Sequence, residues 1–190
     1  MSIRWGAACL ALLGGLLGMP ALAFAGDPGL RVNASSTLGV ITIDAEMLVP
    51  SDAGTAWAVL TDYNNLSHFI PEMESSRIIV IPGQPKRLEQ RGESGLLSFF
   101  SPEFIVFQLD ETPNERIRFK RVSGDLRSMQ GEWRIVGGGN PVMVFYRARI
   151  VPKVPLPPLL GVTMIERDVE EKLAAIRREI ARRAFTASKS

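Results

Sequence analysis

The sequence predicts an α+β domain in which a curved seven-stranded antiparallel sheet wraps around one long C-terminal helix. Alternating apolar and polar residues mark a first strand at residues 40–49. Six further segments of strand character follow, and short turns join them as in an antiparallel meander. A continuous apolar stripe near the C-terminus marks a helix of about five turns or more.

Two short helices are predicted after the first strand. The first begins at Pro50–Asp52, a proline followed by two typical capping residues. The second covers residues 63–70, because apolar side chains recur there at helical spacing and Pro71 ends the pattern. We expect Asp62 to cap the first turn of this second helix, and we expect the helix to cover a cavity.

The remaining elements follow from the same patterns. The six further strands are predicted at 76–81, 87–94, 104–112, 116–122, 128–136 and 142–151. The long helix starts at Pro157-Pro158, and its apolar stripe comprises Val162, Ile165, Val169, Leu173, Ile176 and Ile180. Acidic residues occupy its first half and basic residues its last turns, as the helix dipole favours. Contact of these arginines with anionic lipid is the alternative interpretation.

The N-terminus has the pattern of an export signal. Arg4 precedes a short apolar run at 5–18, and Ala23-Phe24-Ala25 is a small-x-small cleavage pattern. The run is shorter than the roughly 20 residues of a membrane-spanning helix, so a retained anchor is the weaker interpretation. We therefore expect export to the periplasm. The predicted organisation is a signal peptide at 1–25, an N-terminal extension at 26–38, one domain at 39–185 and a frayed tail at 186–190.

Composition and charge exclude several classes of function. The chain has 22 basic and 20 acidic residues, a balance that gives no argument for a nucleic-acid partner. Its one cysteine, Cys9, lies in the segment expected to be removed, which excludes disulfides and thiol catalysis in the mature protein. His68 is the only histidine, so no histidine metal cluster can form. We expect no metal and no required cofactor.

Four segments together resemble a known family. They are W-A-V-L-T-D-Y-N-N-L-S-H-F-I-P (57–71), S-S-R-I-I (75–79), L-E-Q-R-G (88–92) and G-D-L-R-S-M-Q-G-E-W-R-I (124–135). The chain resembles the START-like (SRPBCC) superfamily, in particular its polyketide cyclase/dehydrase and coenzyme Q-binding branch, over nearly the whole mature length. This resemblance implies a helix-grip fold. It also implies a hydrophobic cavity between sheet and helix that holds a lipid, a quinone or another apolar small molecule.

Strand parity indicates which residues face such a cavity. Charged residues share one face of the strand at 87–94, so Leu88 and Gln90 point inward. Small residues such as Gly131 beside large rings suit a cavity, and they equally suit close packing of the helix on the sheet. The candidate cavity-wall residues are Tyr63, Phe69, Met73, Leu88, Gln90, Phe119, Met129, Trp133, Tyr146, Ile165 and Val169.

The loops at one end of the predicted sheet are strongly apolar. The connection at 95–102 carries four large hydrophobic residues, and exposed contiguous apolar surface usually marks a binding site or an interface. These residues gate a cavity, contact a membrane or partner, or complete the core. The candidate portal residues are Leu96, Leu97, Phe99, Phe100, Asp125, Arg127, Leu156 and Leu160.

The function that the sequence favours is binding of a hydrophobic small molecule such as a quinone or lipid. Transport of that molecule would be an extension of this function. The first alternative is a cyclase/dehydratase-type enzyme in which Tyr146, Asp125 or His68 moves a proton. The second is a protein-interaction module. The partner expected is the small molecule, with transient membrane contact as a further expectation and the oligomeric state open.

Overall fold

The structure is a computed structural model that describes residues 28–93, 102–154 and 161–189. The strands in these ranges are β1 Leu30–Thr37, β2 Val40–Val49, β3 Met73–Ile79, β4 Arg87–Gly92, β5 Phe104–Thr112, β6 Arg116–Gly124, β7 Ser128–Val136 and β8 Val142–Val151. The helices are α1 Ala53–Leu60, a 3-10 helix Tyr63–His68, and α2 Gly161–Ala187. The predicted signal peptide lies outside the described residues.

The strands form one antiparallel sheet in the order β1-β2-β8-β7-β6-β5-β4-β3. Seven of them were predicted, and the helix-grip arrangement of a curved sheet with a long C-terminal helix is confirmed. The sheet has eight strands rather than seven, because β1 forms within the segment predicted as an extension. Its apolar alternation is weak beyond Ala34, so its order comes from pairing with β2 and packing against α2.

Both predicted helices after β2 are present, but the second is a 3-10 helix that ends at His68 rather than at Ile70, and one predicted cap is wrong. Asp52 caps α1, since its Oδ1 accepts a 2.9 Å hydrogen bond from the backbone N–H of Thr55. Asp62 makes no such bond at the start of the 3-10 helix. Its carboxylate instead accepts 2.7 Å hydrogen bonds from the side chains of Asn65 and Arg183. Asp62 therefore links the 3-10 helix to α2 instead of capping its own helix.

The apolar stripe of α2 packs on the concave face of the sheet. Ile165, Leu173, Ile176 and Ile180 are buried, whereas Val169 in the middle of the stripe is only half-buried. Near the C-terminal end, Glu179 accepts hydrogen bonds from Arg182 and Arg183. The first turn of α2 holds no acidic residue and its last turn no basic residue, so the predicted match to the helix dipole does not extend to the helix ends. The incomplete burial of Val169 marks the place where helix and sheet separate.

The meander places alternate connections at opposite ends of the sheet. The β3–β4, β5–β6 and β7–β8 connections share one end, and the β4–β5, β6–β7 and β8–α2 connections share the other. The β6–β7 connection contains Leu126, which is buried although its neighbours Asp125 and Arg127 are exposed. The apolar segments that the sequence pattern singled out belong to the β4–β5 and β8–α2 connections, and most of their residues lie outside the described part of the chain.

Candidate functional site

An apolar cavity of about 200 Å³ lies between the sheet and α2, and we call it the inner cavity. Every strand from β3 to β8 contributes at least one residue to its wall, and the 3-10 helix forms part of the wall as well. Its wall comprises Val59, Leu60, Tyr63, Leu66, Ile70, Met73, Leu88, Gln90, Phe107, Leu109, Ile117, Phe119, Met129, Trp133, Tyr146, Val169, Lys172, Leu173 and Ile176. A concave, mostly apolar wall with few polar groups is typical of small-molecule sites.

A second space of about 190 Å³, the outer cavity, adjoins the inner one. The two share Met73, Gln90, Phe107, Met129, Tyr146, Val169 and Lys172. The outer cavity is bounded by Gly92, Pro102 and Leu126, at the sheet end that carries the β4–β5 and β6–β7 connections. Known ligand pockets span about 300 to 1,000 Å³, a range that the two cavities reach only as one continuous site.

The structure brings together most of the candidate wall residues. Nine of them line the inner cavity: Tyr63, Met73, Leu88, Gln90, Phe119, Met129, Trp133, Tyr146 and Val169. Ile165 lines the outer cavity. Phe69 lines neither of these two cavities, because the chain leaves the 3-10 helix at this residue, and its ring lies 6.0 Å from the Arg183 guanidinium.

Aromatic rings form the floor of the inner cavity on β5 to β8. The ring of Phe119 lies 5.3 Å from Phe107 and 6.0 Å from Tyr146, and Tyr146 lies 4.5 Å from Trp133. Gly131 makes room for this stack, since a Cβ atom there would lie 2.5 Å from Cζ of Phe119. Gly131 therefore has both of the roles considered from the sequence. It allows close packing, and the rings that it accommodates line a cavity.

Tyr146 presents a phenol to both cavities. The side chain is half-buried and lines both cavities. Its hydroxyl makes no hydrogen bond to another residue in the described part of the chain. Burial raises the pKa of this phenol, and the nearby Asp168 carboxylate raises it further. The hydroxyl therefore stays protonated and can donate a hydrogen bond into the cavity.

Three charged side chains line the outer cavity together, and one of them, Lys172, also lines the inner cavity. Nζ of Lys172 binds Oδ1 of Asp168 one turn earlier on α2 and lies 3.5 Å from Oε2 of Glu72. Glu72 has a backbone φ of 58°, a conformation that residues other than glycine adopt rarely. We call Glu72, Asp168 and Lys172 the charged cluster.

Sequence reasoning missed the charged cluster. A signal for it existed, because positions 168 and 172 lie three residues after Ile165 and Val169 respectively, within the apolar stripe of α2. A lysine on the inner face of an amphipathic helix needs a counter-charge there, and Asp168 supplies it. Phe107 and Leu126 were also missed.

The ring and the hydroxyl of Tyr63 serve different purposes. The ring lines the inner cavity, whereas the hydroxyl donates a 2.7 Å hydrogen bond to Glu111, whose other oxygen binds Nζ of Lys86. Burial raises the pKa of Tyr63, and the bond to Glu111 acts in the same direction. The hydroxyl is thus bonded to Glu111, which does not line the inner cavity.

Two of the candidate portal residues lie in the described part of the chain. Oδ2 of Asp125 accepts a 2.8 Å hydrogen bond from the backbone N–H of Phe104, so this carboxylate ties the β6–β7 connection to β5. Arg127 is exposed, and its backbone N–H donates to the carbonyl of Val151. The portal candidates Leu96, Leu97, Phe99, Phe100, Leu156 and Leu160 lie outside the described residues, and the portal stays a prediction.

Of the three proton carriers considered for an enzyme, Tyr146 alone lines either cavity. His68 is exposed, and Asp125 is held by Phe104. In the described ranges, no group of three or more His, Cys, Asp and Glu side chains could hold a metal ion. No helix in those ranges is long and apolar enough to cross a bilayer.

A family model described as polyketide cyclase / dehydrase and lipid transport matches residues 49–177. The chain belongs to this family. The match spans the wall of the inner cavity from Val59 to Ile176, so the cavity lies within the part of the chain that defines a polyketide cyclase / dehydrase and lipid transport domain. Membership in this family identifies the chain as a START-like domain for hydrophobic ligands, as the sequence resemblance predicted.

Several solved structures share the fold. A STAR-related lipid transfer protein from Xanthomonas axonopodis superposes with a TM-score of 0.62 at 16% identity, over 81% of this chain and 94% of that one. The Zhui aromatase/cyclase from a Streptomyces species gives 0.58 at 17% identity, over 76% and 93%. Norcoclaurine synthase from Thalictrum flavum gives 0.55 at 16% identity, over 83% and 99%. No curated protein sequence matches the chain.

Proposed function

We propose that this protein binds and carries a hydrophobic small molecule, a quinone or a lipid, in the inner and outer cavities. The observation that carries the proposal is the apolar wall of the inner cavity, to which nine of the wall residues predicted from the sequence contribute. A ligand there gains the free energy of burying apolar surface, roughly 25 cal/mol per Å². The lipid-transfer protein among the structural neighbours supports the same function.

We also propose that the chain is exported and works in the periplasm. The support is the sequence pattern of Arg4, the apolar run at 5–18 and the Ala23-Phe24-Ala25 motif. N-terminal sequencing of the protein purified from a periplasmic extract tests this proposal. A mature chain that begins at Gly26 is expected, and an intact N-terminus at Met1 would contradict it.

Native mass spectrometry of the purified protein, followed by solvent extraction, tests ligand binding. We expect a stoichiometric lipid or quinone to co-purify. A Val169→Trp variant should lose this ligand, because the indole would fill the wall that both cavities share. Val122→Trp is the matched control, since Val122 is 43% exposed and lines neither cavity.

Two outcomes would count against the proposal. The first is a wild-type protein that carries no ligand and takes up none from lipid or quinone mixtures. The second is a Val169→Trp variant that folds and retains as much ligand as Val122→Trp. Circular dichroism of both variants shows whether they are folded.

A further inference from the structure

The residues of α2 that line the two cavities follow one another in a fixed order along the helix. Ile165 and Asp168 line the outer cavity, Val169 and Lys172 line both, and Leu173 and Ile176 line the inner cavity. Ile165 and Ile176 are eleven residues apart, which is about 16 Å along the axis of an α-helix. The outer and inner cavities are therefore consecutive parts of one elongated site beside α2.

The inner end of this site is apolar. Twelve residues line the inner cavity but not the outer one, and their side chains carry two polar groups, the hydroxyl of Tyr63 and the indole N–H of Trp133. The hydroxyl is bonded to Glu111. The Trp133 ring lies 4.5 Å from the ring of Tyr146, which belongs to the wall that both cavities share. The far end, at Ile176, thus offers a ligand no free polar group among the described side chains.

The other polar side chains of the site belong to the shared wall and to the outer cavity. Gln90 and Tyr146 line both cavities, and neither side-chain polar group is hydrogen-bonded to another of the described residues. The outer cavity also has two acidic and two basic residues, so its formal charges balance. This end is polar without an excess of either charge, and Gln90 and Tyr146 are its neutral groups that can bond a ligand.

This distribution of polar groups favours one direction of a bound amphiphile. A hydroxyl or carbonyl group at the inner end would lose its hydrogen bonds to water without replacement, a loss that disfavours this direction by roughly tenfold or more. At the opposite end, the hydroxyl of Tyr146 and the amide of Gln90 can replace those bonds. An apolar chain gains most where the wall is apolar, which is the inner cavity.

We propose that the ligand lies along α2 with its apolar chain in the inner cavity and its hydrogen-bonding group beside Tyr146 and Gln90. This inference rests on the proposed function and narrows its ligand class to apolar molecules with one polar end. The chain of such a molecule contacts Leu173 and Ile176, and its polar end lies toward Ile165.

Photo-crosslinking of the wild-type protein tests this direction. Two dodecanol probes are compared, one with a diazirine next to the hydroxyl and one with a diazirine next to the terminal methyl. Trypsin cuts after Lys153, Arg167, Lys172 and Arg177, so the peptides 154–167, 168–172 and 173–177 are separate. The first contains Ile165 of the outer cavity, and the third contains Leu173 and Ile176 of the inner cavity. Mass spectrometry measures the labelled fraction of each.

The two probes are expected to label opposite ends of α2. The methyl-end probe should label 173–177 in preference to 154–167, and the hydroxyl-end probe should show the reverse. The ratio of the two labelled peptides should differ between the probes by about tenfold, the preference that an unpaired hydroxyl produces. An excess of plain dodecanol should suppress both patterns. Equal ratios for the two probes, or the opposite order, would overturn the inference.

A double variant, Gln90→Leu with Tyr146→Phe, tests the two polar groups that are named. It should bind the probes more weakly, and the difference in labelling ratio should fall several-fold, since each lost hydrogen bond is worth about three- to tenfold. Gln108→Leu is the matched control, because Gln108 is exposed and lines neither cavity. A folded double variant that keeps the wild-type ratios would contradict the role of Tyr146 and Gln90. The wild-type comparison decides the direction even if this variant does not fold.

The same experiments separate this inference from the proposed function. If neither probe labels the folded wild-type protein and no lipid or quinone can be extracted from it, the proposed function is wrong, and the inference fails with it. If a lipid or quinone is extracted but the probes do not label the protein, or label both ends alike, the inference alone is wrong.

Discussion

The hydroxyl of Tyr63 donates a 2.7 Å hydrogen bond to Oε1 of Glu111, 48 positions later in the chain. This bond attaches the 3-10 helix, Tyr63–His68, to the end of β5. It also holds the Tyr63 ring in the wall of the inner cavity. One residue thus fixes a covering helix and supplies part of the wall of the inner cavity.

Removal of that hydroxyl should affect stability rather than binding. Tyr63→Phe is expected to lower the free energy of unfolding by about 1 kcal/mol, because Glu111 keeps its bond to Lys86 and only one hydrogen bond is lost. Urea denaturation measures the change. Ligand affinity should stay within a factor of about two, since the ring remains. Strongly weakened binding at unchanged stability would show that the hydroxyl contacts the ligand.

Glu179 should contribute to stability at neutral pH and lose that contribution in acid. Hydrogen bonds from Arg182 and Arg183 lower the pKa of Glu179 to about 2, against an ordinary value of 4.5, although burial opposes the shift. A group with a lowered pKa in the folded state stabilises the protein above its unfolded pKa. The contribution is therefore lost as the pH falls from about 4.5 to about 2.

Glu179→Gln tests this pH dependence. The variant should be less stable than wild type at neutral pH by about 1 kcal/mol or less, because Arg182 is largely exposed to solvent. The difference should vanish as the pH approaches 2. Urea denaturation over a pH series measures it, and a difference that stays constant with pH would contradict the assignment.

Gly131 should not tolerate even a methyl group. A Cβ atom there would lie 2.2 Å from the carbonyl oxygen of Arg147 and 2.5 Å from Cζ of Phe119, so backbone and ring would both have to move. Gly131→Ala is expected to destabilise the fold by about 2 kcal/mol, a typical cost of overpacking. Gly138→Ala is the control, because nothing lies within 4 Å of a Cβ atom at that turn. Similar melting temperatures for the two variants would contradict the prediction.

Asp52 should stabilise α1 through its cap. Its side chain accepts hydrogen bonds from the backbone N–H and the hydroxyl of Thr55, and the backbone bond is the main cause of its lowered pKa. Asp52→Ala is expected to cost about 1 kcal/mol in urea denaturation. Asp110→Ala provides the comparison, since Asp110 is 71% exposed and lies 3.8 Å from its partner Arg118. A loss no larger than that of Asp110→Ala would argue against the cap.

The sequence predicted those features that depend on local pattern. Two-residue alternation placed Leu88 and Gln90 on the concave face, and both line the inner cavity. Helical spacing placed the buried stripe of α2 from Ile165 to Ile180. Each of these assignments requires only the identities of residues a few positions apart.

The features that were missed depend on contacts between distant segments. β1 is ordered by β2 and α2, although its own sequence alternates weakly. Helical spacing assigned Phe69 to the cavity wall, but the chain changes direction there and the ring faces Arg183. The position of Lys172 between Asp168 and Glu72 also required knowledge of where β3 begins relative to α2.

The cavities leave Val169 and Tyr146 without neighbours on one side, so the folded chain lacks part of its own core. A ligand that enters completes this core, and binding and folding become thermodynamically linked. A ligand at one hundred times its dissociation constant would raise the free energy of unfolding by about 2.7 kcal/mol. The empty protein is then the less stable form, and the degree of ligand loading sets its resistance to heat and proteolysis.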